Sequence, residues 1–184
     1  MSSRPERKRV VVKMALALVV VAVLAAGCSS SSGAADVVVD IADSVVTVTR
    51  TEIQAIVDEN GDFVAGGEAP AGTGSGVVID DDGHVLTNAH VIAGAVSVFV
   101  VGVDGIEREA EVIAVATEQN DLAILKLADA TGLAPIAIGS ALDMSVGESV
   151  IAVGNPLGLG LTVTSGILSA VDRNIRTEFG ELYG

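Results

Sequence analysis

The chain has 184 residues, half of them hydrophobic and only 2% aromatic, with a formal net charge of −14. So acidic a chain is excluded as a binder of nucleic acid or of anionic headgroups, both of which need clustered Lys and Arg. A single cysteine excludes an intrachain disulfide, so the fold rests on a core of Val, Ile, Leu and Ala, and β-branched residues with many glycines point to an all-β domain.

The first 27 residues form a leader. Arg4, Arg7, Lys8, Arg9 and Lys13 make a positive region, and residues 14–27 are uncharged, short for a membrane span and long enough for a signal-peptide core. The segment Leu24-Ala25-Ala26-Gly27-Cys28 resembles a bacterial lipobox. That resemblance implies cleavage before Cys28, a lipid on its sulfur, and a membrane anchor on the extracytoplasmic side. An uncleaved anchor reaching back to Val10 is the alternative. Without residues 1–27 the chain keeps five bases against 23 acids, a formal charge of −18. Residues 28–35, rich in serine, read as a flexible tether.

The folded part begins at Asp36, placed to cap a short helix through Ala42, with a strand from Ser44 to about Ile56. Residues 58–71 hold three glycines and Pro70 and read as a loop. Residues 74–79 and 84–87 are two apolar runs around Asp80-Asp81-Asp82-Gly83, a β-hairpin in which Gly83 takes the positive φ of the turn. His90 follows directly. Residues 96–103 form an apolar strand, and Asp104-Gly105 marks a second hairpin turn. From 106 to 116, Glu107, Glu109 and Glu111 alternate with Ile106, Ala110 and Val112, the pattern of a half-exposed strand. Asp121 closes a polar turn and opens the apolar strand 122–127. Six strands without helical crossovers predict a small antiparallel barrel over residues 36–130.

After a linker near 129–135, strands are expected at 136–138, 148–153 and 161–171. Gly154-Asn155-Pro156-Leu157-Gly158-Leu159-Gly160 lacks the Lys-Ser/Thr ending of a phosphate loop and reads as a structural turn. Residues 172–184 are polar and predict no closing strand. Residues 131–184 therefore read as part of a second barrel, truncated at an open sheet edge.

Alone, His90 reads as a loop histidine and Asp121 as a turn cap. Together they suit another role: a carboxylate on one imidazole nitrogen fixes the tautomer, and the other nitrogen can take a proton from a serine. The order His, then Asp, is that of trypsin-like architectures. Thr73-Gly74-Ser75-Gly76-Val77-Val78-Ile79, Leu86-Thr87-Asn88-Ala89-His90-Val91, Asn120-Asp121-Leu122-Ala123, Val153-Gly154-Asn155-Pro156 and Thr162-Val163-Thr164-Ser165-Gly166-Ile167 resemble the HtrA (Deg) family of trypsin-like serine proteases. The resemblance implies a chymotrypsin-type double β-barrel, with the first barrel complete. It also implies His90 as general base and Asp121 as its orienting acid. Val91 stands where disulfide-bearing trypsins have cysteine.

The family's nucleophile lies in a Gly-Asn-Ser-Gly-Gly-like segment whose backbone N–H groups also form the oxyanion hole, and no such segment occurs in these 184 residues. Ser165 and Ser169 match non-catalytic family positions, and Ser140, Ser145 and Ser149 lack the glycine-framed turn, so none is assigned as nucleophile. No cofactor or metal is expected; His84 beside Asp80, Asp81 and Asp82 reads as a solvated turn rather than a metal site. The expected function is serine endopeptidase chemistry on misfolded or exposed polypeptides of the cell envelope. A non-catalytic, polypeptide-binding pseudoprotease is the alternative, and self-association is left open.

Overall fold

The computed structural model describes residues 10–12, 21–23, 34–60, 62–116, 120–140, 143–155, 160–171, 175–177 and 180–182. Cys28, the start of the expected tether and most of the expected leader lie outside them. Two short N-terminal strands, β1 (Val10–Val12) and β2 (Val21–Val23), pair antiparallel. Among the described residues no helix is long and apolar enough to cross a membrane.

Helix α1 (Ala34–Ile41) starts two residues before Asp36, which therefore sits in its first turn rather than at the cap. A 3-10 turn over Ala42–Ser44 leads into β3. Val37 and Ile41, one turn apart on α1, are buried with Val45, Val77, Ile136, Ile151 and Val153 in one of two apolar clusters.

The expected six strands close a barrel: β3 (Val45–Val57), β4 (Phe63–Val78), β5 (His84–Thr87), β6 (Ser97–Val101), β7 (Glu107–Ala116) and β8 (Leu122–Leu127). The order around it is β3-β4-β5-β8-β7-β6, with β6 hydrogen-bonded back to β3. Alternation decides what points inward. Val46 and Val48, Val98 and Val100, and Ala123, Leu125 and Leu127 meet in the second apolar cluster with Val85, Val91 and Ile92.

Two expectations are corrected. The loop expected over 58–71 is mostly strand, because β4 starts at Phe63 and pairs along β3. Its glycines and Pro70 are tolerated because the register slips between Arg50 and Thr51, and the other side of β4 pairs with β5 only from Gly76. The strand expected at 136–138 is a single bridge at Ile138. The tail holds two strands, β11 (Ile175–Thr177) and β12 (Gly180–Leu182), which among the described residues pair with each other and close no barrel. The remaining sheet runs β1-β2-β9-β10, where β9 is Ser149–Gly154 and β10 is Thr162–Ile167.

In β7 the alternation holds only at the start. Arg108 and Ala110 are buried between exposed glutamates, whereas Val112, Ile113 and Val115 are exposed. The strand outruns β6, which pairs only as far as Glu109, and its register slips between Val112 and Ala114. The buried Arg108 had no signal in the hydrophobic pattern. Its guanidinium donates to both carboxylate oxygens of Asp104, at 3.2 and 2.6 Å, and to the carbonyl of Thr131 at 2.7 Å. It thus ties the β6–β7 turn to the segment that leaves the barrel.

The hydrogen bond from Arg108 holds the Asp104 carboxyl below its ordinary value near 3.8. A depressed carboxylate contributes stability that is present above its ordinary pKa and is lost as pH falls through its lower folded-state pKa. Thermal melts from pH 7 to pH 2 should therefore show Asp104→Asn less stable than wild type near neutrality, with the two midpoints converging in acid. Parallel curves would rule out this contribution.

Candidate active site

His90 and Asp121 come from separate strands and meet at one end of the barrel. His90 lies in α2 (Ala89–Ile92), a single helical turn directly after β5, and not in an irregular loop. Asp121 is the residue before β8. Because β5 and β8 are paired neighbours, with Thr87 opposite Ala123, the two junctions lie side by side. His90 Nδ1 is 2.6 Å from Asp121 Oδ2. The side chains are 20% and 8% exposed respectively, so the carboxylate is enclosed while the imidazole reaches the surface. With the carboxylate ionised, Nδ1 carries the proton of this hydrogen bond, which makes Nε2 the basic nitrogen.

Asp121 has φ +48, the one positive value among described residues other than glycine. Such a conformation is costly for a residue with a Cβ and persists where its surroundings over-determine it. They do so here. Asp121 Oδ1 accepts from His90 N at 2.9 Å, and the Asp121 carbonyl accepts from Ala89 N at 3.1 Å. The Asn88 side chain reaches the same residue through Nδ2, and the sequence reading did not single it out. Only its place directly before Ala89-His90 could have flagged it.

The floor under His90 is close-packed. A Cβ on Gly74 would lie 2.5 Å from Val91 Cγ2, which explains a glycine in β4 opposite α2. Thr87 Oγ1, fully buried, donates to the carbonyl of Ser75 at 2.8 Å, and Ser75 Oγ accepts from Asn155 N at 2.7 Å. Asn155 Nδ2 also bonds Thr47 Oγ1 at 2.6 Å, and Asn155 Oδ1 accepts from Gly160 N at 3.0 Å. The turn expected after β9 is thereby tied at both ends, while residues 156–159 lie outside the described ones.

A second histidine offers a control. His84 Nδ1 is also 2.6 Å from a carboxylate, Oδ2 of Asp80, but the two are four residues apart in a turn and are 28% and 41% exposed. Asp80 Oδ1 accepts from Asp82 N and His84 N, and the bond from His84 N is the main reason that the Asp80 carboxyl is held below its ordinary range. Gly83, at φ +83, completes the turn as expected. Asp80, Asp82 and His84 hold candidate ligand atoms within 4.8 Å of one another, yet Asp80 and His84 are engaged in closing the hairpin. Equal distances thus arise from a local turn in one pair and from tertiary structure in the other.

Of the serines set aside in the sequence, Ser149 lies in β9 and Ser165 in β10, where it pairs with Ile151. Ser169 Oγ donates to the carbonyl of Ile167 at 3.4 Å.

Compared with known proteins, residues 74–182 match the family model described as a trypsin-like peptidase domain. A probable periplasmic serine endoprotease DegP-like from Halomonas elongata is 44% identical over 102 residues, which cover 55% of this chain and 21% of that protein. The putative serine protease HhoB of Synechocystis sp. is 47% identical over 103 residues, covering 56% of this chain and 24% of that protein. The solved structure of the HtrA-type protease AlgW with decapeptide aligns with a TM-score of 0.63 at 32% identity, over 76% of this chain and 46% of that one. The matched region thus spans about a fifth to a quarter of these curated relatives and less than half of the solved chain.

Proposed function

The chain belongs to the trypsin-like peptidase family, and from that membership we propose that it forms the His–Asp half of a serine endopeptidase of the cell envelope. What carries the reading is the contact of His90 Nδ1 with Asp121 Oδ2 between residues 31 apart in sequence. No Gly-x-Ser-Gly-Gly segment occurs in these 184 residues, so the nucleophilic serine and oxyanion-hole amides that this reading requires are assigned to none of them. In the first step His90 Nε2 takes the hydroxyl proton as the serine oxygen attacks the scissile carbonyl carbon. The same proton passes to the leaving amine, and water then hydrolyses the acyl ester by the reverse sequence. Asp121 holds the tautomer and balances the imidazolium charge.

Substrates on this reading are misfolded or exposed polypeptides outside the cytoplasm. Support for the location comes from the leader and from relatives named as periplasmic. We assign Cys28 as a lipid-bearing N-terminus; mass spectrometry of the mature protein should find a diacylglyceryl cysteine there, and retention of residues 1–27 would reject it.

The product of the complete reading frame is expected to degrade unfolded casein and to lose that activity in His90→Ala. Unchanged cleavage in the variant would refute the role of His90. A complete reading frame with no Gly-x-Ser-Gly-Gly segment would favour a barrel that holds polypeptide without cutting it.

A further inference from the structure

Asn88 stands at the N-cap of α2, where an asparagine ordinarily turns its side-chain oxygen onto the N–H groups of the first turn. Here its side chain makes no capping hydrogen bond. Asp121 supplies the caps instead, its Oδ1 accepting from His90 N and its carbonyl from Ala89 N. Released from capping, Asn88 directs Nδ2 at Asp121 and donates to two atoms of that residue, the carboxylate Oδ2 at 3.0 Å and the main-chain carbonyl at 3.1 Å.

The other end of the amide fixes the orientation. Asn88 Oδ1 is buried and has no hydrogen-bond partner among the described residues. An orphaned acceptor in a buried position is unfavourable. Turning the amide over would be worse, because Oδ1 would then face the carboxylate of Asp121. A side chain that gives up both its cap and one of its own polar atoms is held there by the bonds it makes to Asp121. Those bonds span the main chain and the carboxylate of one residue, so they fix the peptide at its positive φ and the rotation of the side chain together.

We propose that Asn88 is a positioning residue for the His–Asp pair, locking Asp121 so that Oδ2 stays on His90 Nδ1. The proposal deepens the catalytic reading of that pair and rests on it, but its structural half can be measured without catalysis. In the 184-residue chain, the His90 Nδ1–H proton should give a downfield, slowly exchanging resonance. Asn88→Ala should broaden that line into water exchange or move it upfield while the barrel's amide spectrum is kept. In the complete protease the same variant should lower kcat by roughly tenfold to a hundredfold with KM held, as expected when a reacting group is slightly misplaced.

An unchanged His90 line in folded Asn88→Ala overturns the proposal and leaves the role of His90 standing. A lost line with unchanged kcat sinks the catalytic reading of the pair instead. Where the variant fails to fold, the wild type carries the test. The Asn88 Hδ2 protons should be protected from exchange and show cross-relaxation with the His90 Nδ1–H, and absence of both overturns the proposal.

Discussion

On the proposed catalytic reading, Asp121→Asn in the product of the complete reading frame is expected to leave KM close to wild type and to lower kcat by about 10⁴-fold. The reason lies in the donors around this carboxylate. Oδ1 accepts from His90 N, and Oδ2 accepts from His90 Nδ1 and Asn88 Nδ2. An amide at this position must turn its NH₂ toward one of those donors, whichever way it is placed. The imidazole relieves one arrangement by moving its proton from Nδ1 to Nε2, which removes the lone pair that would accept the serine proton. Side-chain volume hardly changes, so a loss of activity with an unchanged melting midpoint separates this effect from unfolding. A kcat within tenfold of wild type would show that Asp121 does not set the tautomer.

Leu125→Ala is expected to destabilise the 184-residue chain by about 2–5 kcal/mol. Leu125 is fully buried in the middle of β8, opposite Val85 on one side and Val112 on the other. Its neighbours belong to strands of a closed sheet and cannot collapse into the space without breaking the ladder, so the cavity term adds to the lost transfer energy. Against a typical domain stability of roughly 5–15 kcal/mol, that is a large fraction. Urea denaturation should show the midpoint falling with the slope unchanged. A loss below about 1 kcal/mol would mean that the barrel core repacks there more easily than its burial implies.

The barrel was legible because its strands are short apolar runs punctuated by Asp and Gly, with a period of two wherever one face is buried. Residues 84–87 and 122–127 read this way, and their pairing follows from the closed topology. The upper half of β4 was hidden by Gly66, Gly67 and Pro70, which carry loop chemistry in sequence but lie along a strand with little to pair with on its outer side. Arg108 was invisible for the opposite reason. A buried charge looks polar until its carboxylate and carbonyl partners are placed around it.

At the site, His90 and Asp121 stood out by their junction positions, the resemblance of the segments around them gave them their roles, and the structure brings the two side chains together. What sequence could not supply is the hydrogen-bonded frame. The positive φ of Asp121 and the turned amide of Asn88 depend on atoms brought in by two neighbouring strands. Nor could sequence separate the two His–Asp contacts by distance, since both close to 2.6 Å. The difference is that one pair shapes its own turn, while the other joins two strand ends and buries the carboxylate.

The most direct measurement is covalent labelling of the complete protein by a fluorophosphonate, which reacts far faster with a base-activated serine than with an ordinary one. One serine in a Gly-x-Ser-Gly-Gly segment should be modified. That labelling should vanish in His90→Ala and nearly vanish in Asp121→Asn. Labelling that proceeds at the wild-type rate in His90→Ala would contradict the assignment of His90 and Asp121 as the base and its orienter.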